Sequence, residues 1–300
     1  MKMNKAKVID VQTQMTTKKG ALWPLELKEM FEAVFKHKIP YYQTEEEMIQ
    51  SFREAGARVM IRLASGDKKD FGQIQEAHDY VAQLKRDYLD VVIGFWVPLD
   101  PRLSLLKNLR ELERCIKDLG SFGYYHNGML SGIPANDKSL YPLYELCQEE
   151  GVPVKISTGH TAAGAGTPGG SGIHLKIEHP IPNIDDVAAD FPQLTVIGAH
   201  CAWPFHNEMI SVMVHKTNVY NDLHGWSPKY FPTELKREVN GRLKGRFLFG
   251  SDYPFFEYQR LFRDWEAEGY KPEVLENVYY KNAQRVFGLL KKEAKEWMRN

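Results

Sequence analysis

Cysteine is scarce in this chain, with only Cys115, Cys147 and Cys201 among 300 residues. Their number is odd and no two stand in a C-x-x-C spacing, which argues against a disulfide framework and a thiolate zinc site and fits a reducing, cytoplasmic setting. An excess of charge is also missing: Lys plus Arg and Asp plus Glu both count 39. That balance leaves no electrostatic footprint for nucleic acid or an anionic membrane surface, and points instead to a small-molecule substrate or a protein partner. No apolar run is long enough to cross a bilayer, and the lysine-rich start leads into a polar, strand-like segment rather than an apolar signal core, so export is not expected. The glycine-rich stretch from Thr158 to Gly172 lacks the G-x-x-x-x-G-K-[ST] spacing, which rules out a Walker phosphate loop.

What is present is a regular alternation. With 43% hydrophobic residues the chain can bury a large core, and the evenness of the pattern favours one domain over residues 1–300. Apolar runs of strand length occur at 8–12, 57–63, 90–97, 121–126, 152–157, 194–199, 218–223 and 246–250, with helix-patterned segments between them. Repeated βα units of this number close a (β/α)8 TIM barrel. Thr44 caps a helix over 45–56, Asp70 precedes one over 71–88, and Ser139 precedes one that stops at Gly151. Residues 25–37 read as a lid or extra helix, and 272–298 as two C-terminal helices that close the barrel bottom or side. Two irregular stretches follow strands: the glycine-rich loop after the fifth, and His224-Gly225-Trp226-Ser227-Pro228-Lys229-Tyr230-Phe231-Pro232 after the seventh. In a barrel, both are loops of the active face.

Two strands end in a residue that carries protons or binds metals. Leu194–Ala199 runs into His200, and Arg246–Gly250 runs through Ser251 into Asp252, which is held between Gly250 and Pro254. An acid at a strand tip can act as a general base or a metal ligand, and its bland alternative is a helix N-cap. A lone histidine after a strand is as readily a buried structural one, so His160, His126, His174 and His179 are weaker candidates than His200. Lys155 shares an alternation phase with Ser157, opposite to Val154 and Ile156; if that phase faces inward, the lysine must be paired, neutralised or modified, for instance by carboxylation.

Taken jointly, Ile9-Asp10-Val11-Gln12-Thr13-Gln14, Pro142-Leu143-Tyr144 with Gly151-Val152-Pro153-Val154, Asp185–Pro192, Ile197-Gly198-Ala199-His200 and Phe249-Gly250-Ser251-Asp252-Tyr253-Pro254 resemble the amidohydrolase-related family, in the branch of aminocarboxymuconate-semialdehyde decarboxylase. The resemblance runs from residue 8 to Asn282-Ala283. It implies a TIM barrel holding one or two divalent metals through a His-x-His pair on the first strand, histidines after the fifth and sixth, and an aspartate after the eighth. His200 and Asp252 fit the last two positions, whereas Gln12, Gln14 and Ser157 stand where the other three imidazoles belong. A neutral amide oxygen is a far weaker donor than imidazole for zinc, manganese or iron.

Three readings follow. In the first, the chain is an altered barrel beside a better-equipped homologous subunit of a hydrolytic or oxygenating metal enzyme acting on a small carboxylate. In the second, it is a self-sufficient hydrolase or decarboxylase with one divalent ion, zinc first, held by His200, Asp252 and a substitute His160. In the third, it is a metal-free binding or structural protein whose mouth holds a ligand through Gln12, Gln14, His200 and the aromatic loop after the seventh strand.

Overall fold

The structure, a computed structural model, describes residues 7–20, 28, 29, 32, 37–63 and 71–289. Its eight strands are β1 (Val8–Thr13), β2 (Ala57–Arg62), β3 (Val92–Pro98), β4 (Gly123–His126), β5 (Val154–Ser157), β6 (Val196–Ala199), β7 (Val219–Asp222) and β8 (Phe247–Leu248). They pair in parallel and in chain order. The ring is drawn shut where the exit of β8 meets β1: Val11 N–H donates to the Phe249 carbonyl at 3.0 Å, Asp252 N–H to Gln12 at 2.9 Å and Gln14 N–H to Tyr253 at 2.8 Å. This is the (β/α)8 barrel expected from the strand spacing.

Helices α1 (Glu45–Ala55), α2 (Phe71–Asp87), α3 (Leu105–Lys117), α4 (Tyr141–Glu149), α5 (Pro180–Asp190), α6 (His206–His215), α7 (Thr233–Val239) and α8 (Tyr258–Ala267) alternate with the strands. Thr44 and Glu47 open α1 with a reciprocal capping box that satisfies two otherwise orphaned N–H groups. Tyr141–Glu149 stops just ahead of Gly151, which takes a left-handed φ of 65°.

Strand alternation splits the core into two clusters. Val59, Ile61, Phe95, Val154, Ile156 and Phe247 face the helices, while Val11, Met60, Trp96, Tyr125, Ile197 and Leu248 fill the barrel. Val154 and Ile156 thus point outward, which turns Lys155 and Ser157 inward. The bottom is plugged by the C-terminal segment, where Pro272–Glu276, a π-turn over Asn277–Lys281 and Asn282–Val286 run on continuously. Phe287 sits edge-on to Trp96 and Phe122, with centroids 5.8 and 5.2 Å away. Most of 25–37, Asp70 and everything past Leu289 lie outside the described residues. Among the described residues no helix is long and apolar enough to cross a membrane.

Candidate active site

Active faces of such barrels lie at the C-terminal ends of the strands. Here β6 delivers His200 and β8 delivers Asp252, and both take left-handed backbone conformations, with φ of 67° and 55°. Non-glycine residues rarely adopt that region, so surrounding contacts must hold them there. Gly225 reports how close the two come. A Cβ built on it would lie 3.1 Å from His200 Cδ2, 3.9 Å from His200 Nε2 and 3.6 Å from Asp252 Oδ2. Both side chains therefore reach within 4 Å of one point, where the backbone at φ 76° carries no side chain of its own. Asp252 Oδ1 accepts a hydrogen bond from the Gln14 amide at 3.0 Å. Burial, then the neighbouring His224, pushes His200 well below the usual imidazole range and keeps it neutral; its Nδ1 is buried without a partner.

Beneath this pair lies a charged chain that crosses the barrel. Lys155 Nζ donates to Gln12 Oε1 at 2.7 Å and to the Val11 carbonyl at 3.0 Å, and forms a fully buried ion pair with Asp222. Asp222 accepts from His224 Nδ1 at 2.8 Å, and the His224 ring lies 4.1 Å from that of His200. Burial opposes the Asp222 charge, but His224 and Lys155 outweigh it and hold the carboxyl well below its usual range. Lys155 is lowered by burial and supported in its charged form by Asp222. Gly250 lets the strands approach this chain, since a Cβ there would collide with Asp222 and His224.

Two further mouth residues were not anticipated. Glu178, at the end of the loop after β5, is fully buried, and neither carboxylate oxygen has a well-formed hydrogen bond. Burial pushes it up to about 7, with Ser157 and the Met129 backbone offsetting part of the rise. Arg62, at the tip of β2, lays its guanidinium over Tyr125. Neither belongs to a motif, and the alternation phase of Met60 and Arg62 is the one sequence signal that pointed inward.

An amidohydrolase family model matches residues 9–289. The chain belongs to the amidohydrolase family. No curated protein matches it. Among solved structures, this amidohydrolase barrel is similar to an uncharacterised TIM-barrel protein from Bordetella bronchiseptica (20% identity, 94% of this chain and 98% of that one, TM-score 0.75). It also resembles 2,6-dihydroxybenzoate decarboxylase from Rhizobium (15%, 94% and 98%, 0.66). A third is dihydroxybenzoic acid decarboxylase from Polaromonas sp. JS666, solved with manganese and 2-nitroresorcinol (16%, 94% and 97%, 0.66). At these identities the likeness carries the fold alone.

At the positions where the resemblance expects metal donors, the side chains are engaged otherwise. Gln12 commits its carbonyl oxygen to an ammonium group, Gln14 turns its N–H toward Asp252, and the fifth-strand position is Ser157, which accepts from Gly128 N–H at 3.3 Å. A cation bound near Gln12 would compete with the fixed charge of Lys155. His160 packs edge-on to Trp203 and Phe205, at 5.0 and 6.0 Å, on the loop side of His200. His126 bonds to the Ile133 carbonyl and is pushed down to about 4 by burial, while His174 is exposed and His179 pairs with Glu208. Among the described residues, the one group of three His, Cys, Asp or Glu side chains with all ligand atoms within 4.8 Å is His78, Glu111 and Cys115, outside the barrel. Arg114 already neutralises Glu111 there, at 2.8 and 3.0 Å.

Proposed function

We propose that this chain is a metal-depleted amidohydrolase barrel that binds a small carboxylate-type molecule at its mouth and serves as the altered subunit beside a homologous, metal-bearing chain. The observation that carries the reading is the Lys155 ammonium on Gln12 Oε1 at 2.7 Å, which engages the first-strand position with a built-in cation. A barrel kept intact without its donors suits a scaffold that shapes or completes a partner's site. Exposed apolar side chains on the loops of this face, Leu130, Leu175, Trp203 and Tyr230, support a protein contact there.

The test is native purification. The expected result is co-purification with a homologue that has the His-x-His pair, and less than about a tenth of an equivalent of metal on this chain by itself. A fully active homo-oligomer of this chain alone overturns the reading. The convergence of His200 and Asp252 at Gly225 favours a second reading, a self-sufficient hydrolase or decarboxylase, and that same result would establish it.

A further inference from the structure

The loop between β5 and α5 is closed at its base by one residue. The Glu178 carbonyl accepts the Thr158 hydroxyl at 2.9 Å and the Gly159 N–H at 3.0 Å, so a single backbone group joins the two ends of the stretch. From that base the loop leans across the exits of β6 and β4: His160 N–H donates to the Trp203 carbonyl at 2.6 Å, and the Thr161 hydroxyl lies 3.7 Å from Met129 Sδ. Between its ends it is thinly held, because none of residues 160–177 is buried. A segment with so few buried contacts opens at a small fraction of the global unfolding free energy.

The Glu178 side chain is the exception. It is fully buried at the foot of the loop beside Gly128, on which a Cβ would lie 3.0 Å from Glu178 Oε1. The groups that face it carry no charge: the Ser157 hydroxyl from β5, the Met129 backbone from the β4 exit, and the Tyr125 phenol on β4, which feels the field of the carboxylate. His126 on β4 turns instead to the Ile133 carbonyl, and His179 next in the chain turns to Glu208. Neither Glu178 oxygen has a well-formed hydrogen bond, and among the described residues no cation offsets the charge. A carboxyl placed this way is tolerated as a neutral acid, whereas its anion must take up a proton or reach water. Reaching water means leaving the slot, and because side chain and carbonyl belong to one residue, that movement pulls the carbonyl off Thr158 and Gly159.

We propose that residues 159–178 form a lid over the β4–β6 side of the barrel mouth, latched by the neutral carboxyl of Glu178 and released when that carboxyl ionises. In the slot the carboxyl keeps its proton up to about pH 7, while in water it ionises near 4. The released population therefore rises about tenfold per pH unit between those limits and levels off above about pH 7. The mouth is thus more often open at neutral than at acid pH.

The test is hydrogen–deuterium exchange of the full chain in chelator-containing buffers from pH 5 to pH 8, corrected for the intrinsic pH dependence of exchange and read at the Gly159 and His160 amides. Their protection is expected to fall about a hundredfold from pH 5 to pH 7 and then to level off, while amides of the β5 and β6 ladders keep theirs. Glu178→Gln is expected to hold the pH 5 protection of the wild type across the range. Thr158→Val, which removes the hydroxyl bond to the Glu178 carbonyl, should lower protection about fivefold at every pH with the slope unchanged. A flat wild-type profile, a slope that survives in Glu178→Gln, or an equal loss in the β5 and β6 ladders overturns the lid. Should Glu178→Gln not fold, the wild-type profile and Thr158→Val decide the matter: a Thr158→Val profile identical to that of the wild type overturns the latch.

Discussion

Asp10 and Ser251 lock the first strand of the barrel to the last: the Asp10 carboxylate accepts the Ser251 N–H at 3.0 Å and the Ser251 hydroxyl as well. Tyr258 donates to the same carboxylate at 2.7 Å and the Gln12 N–H at 3.0 Å, so one buried group gathers donors from β1, the exit of β8 and α8. Ser251 precedes Asp252, so the lock also sets where Asp252 points. Asp10→Ala should cost about 3 kcal/mol in urea denaturation, because it strands several buried donors at once. A loss below about 1 kcal/mol would show that the lock is not what holds the seam.

Lys155 and Asp222 are both fully buried, and each is the other's counterion. Lys155→Met should destabilise by about 3–5 kcal/mol by leaving Asp222 uncompensated, and adding Asp222→Leu should recover a large part. A double-mutant cycle by denaturant titration checks this. Strict additivity of the two losses would contradict the pairing.

The buried carboxyls of Glu178 and Asp10 are both pushed up to about 7 by burial. In the unfolded chain they ionise near 4, so between about pH 4 and pH 7 the folded state holds more protons than the unfolded one. Their contribution is therefore fully present below the unfolded pKa and is lost as pH rises to about 7. Glu178→Gln should gain on wild type by about 2–3 kcal/mol between about pH 4 and pH 8, measured by urea denaturation across that range. A constant difference over the range would place the Glu178 carboxyl in water.

Gly225 stands against both His200 and Asp252 in a left-handed conformation. Gly225→Ala should lose about 1–2 kcal/mol and move the His200 ring resonances in NMR spectra, since the new methyl would press on Cδ2. Unmoved His200 signals would mean that the loop after β7 does not set this imidazole.

Installing imidazoles at Gln12 and Gln14 tests the proposed depletion directly. Zinc titration of the wild-type chain should give no site tighter than roughly micromolar, while Gln12→His with Gln14→His brings three imidazoles and a carboxylate together and should tighten zinc binding by at least about a hundredfold. If Lys155 holds the place, adding Lys155→Met should tighten it further.

The barrel was legible in the sequence because each parallel strand is an apolar run bounded by turn residues, and all eight strands fall within or nearly on the expected spans; even Phe247–Leu248, the shortest, lies inside 246–250. The capping box at Thr44 and the stop at Gly151 were legible for a similar reason, being contacts between residues a few positions apart. His200 and Asp252 could be placed at strand tips, since a strand's end is a local property. The amino-acid order also placed Gln12, Gln14 and Ser157 at the strand positions where the family resemblance expects imidazoles, whatever surrounds them. Tertiary structure alone decided that Lys155 would pair with Asp222 and reach Gln12 across 143 residues, that Glu178 would be buried with no well-formed hydrogen bond, and that Arg62 would lay its guanidinium over Tyr125. Those outcomes depend on closing the ring, which brings strands distant in sequence to within hydrogen-bond range and removes the water that would otherwise solvate each charge.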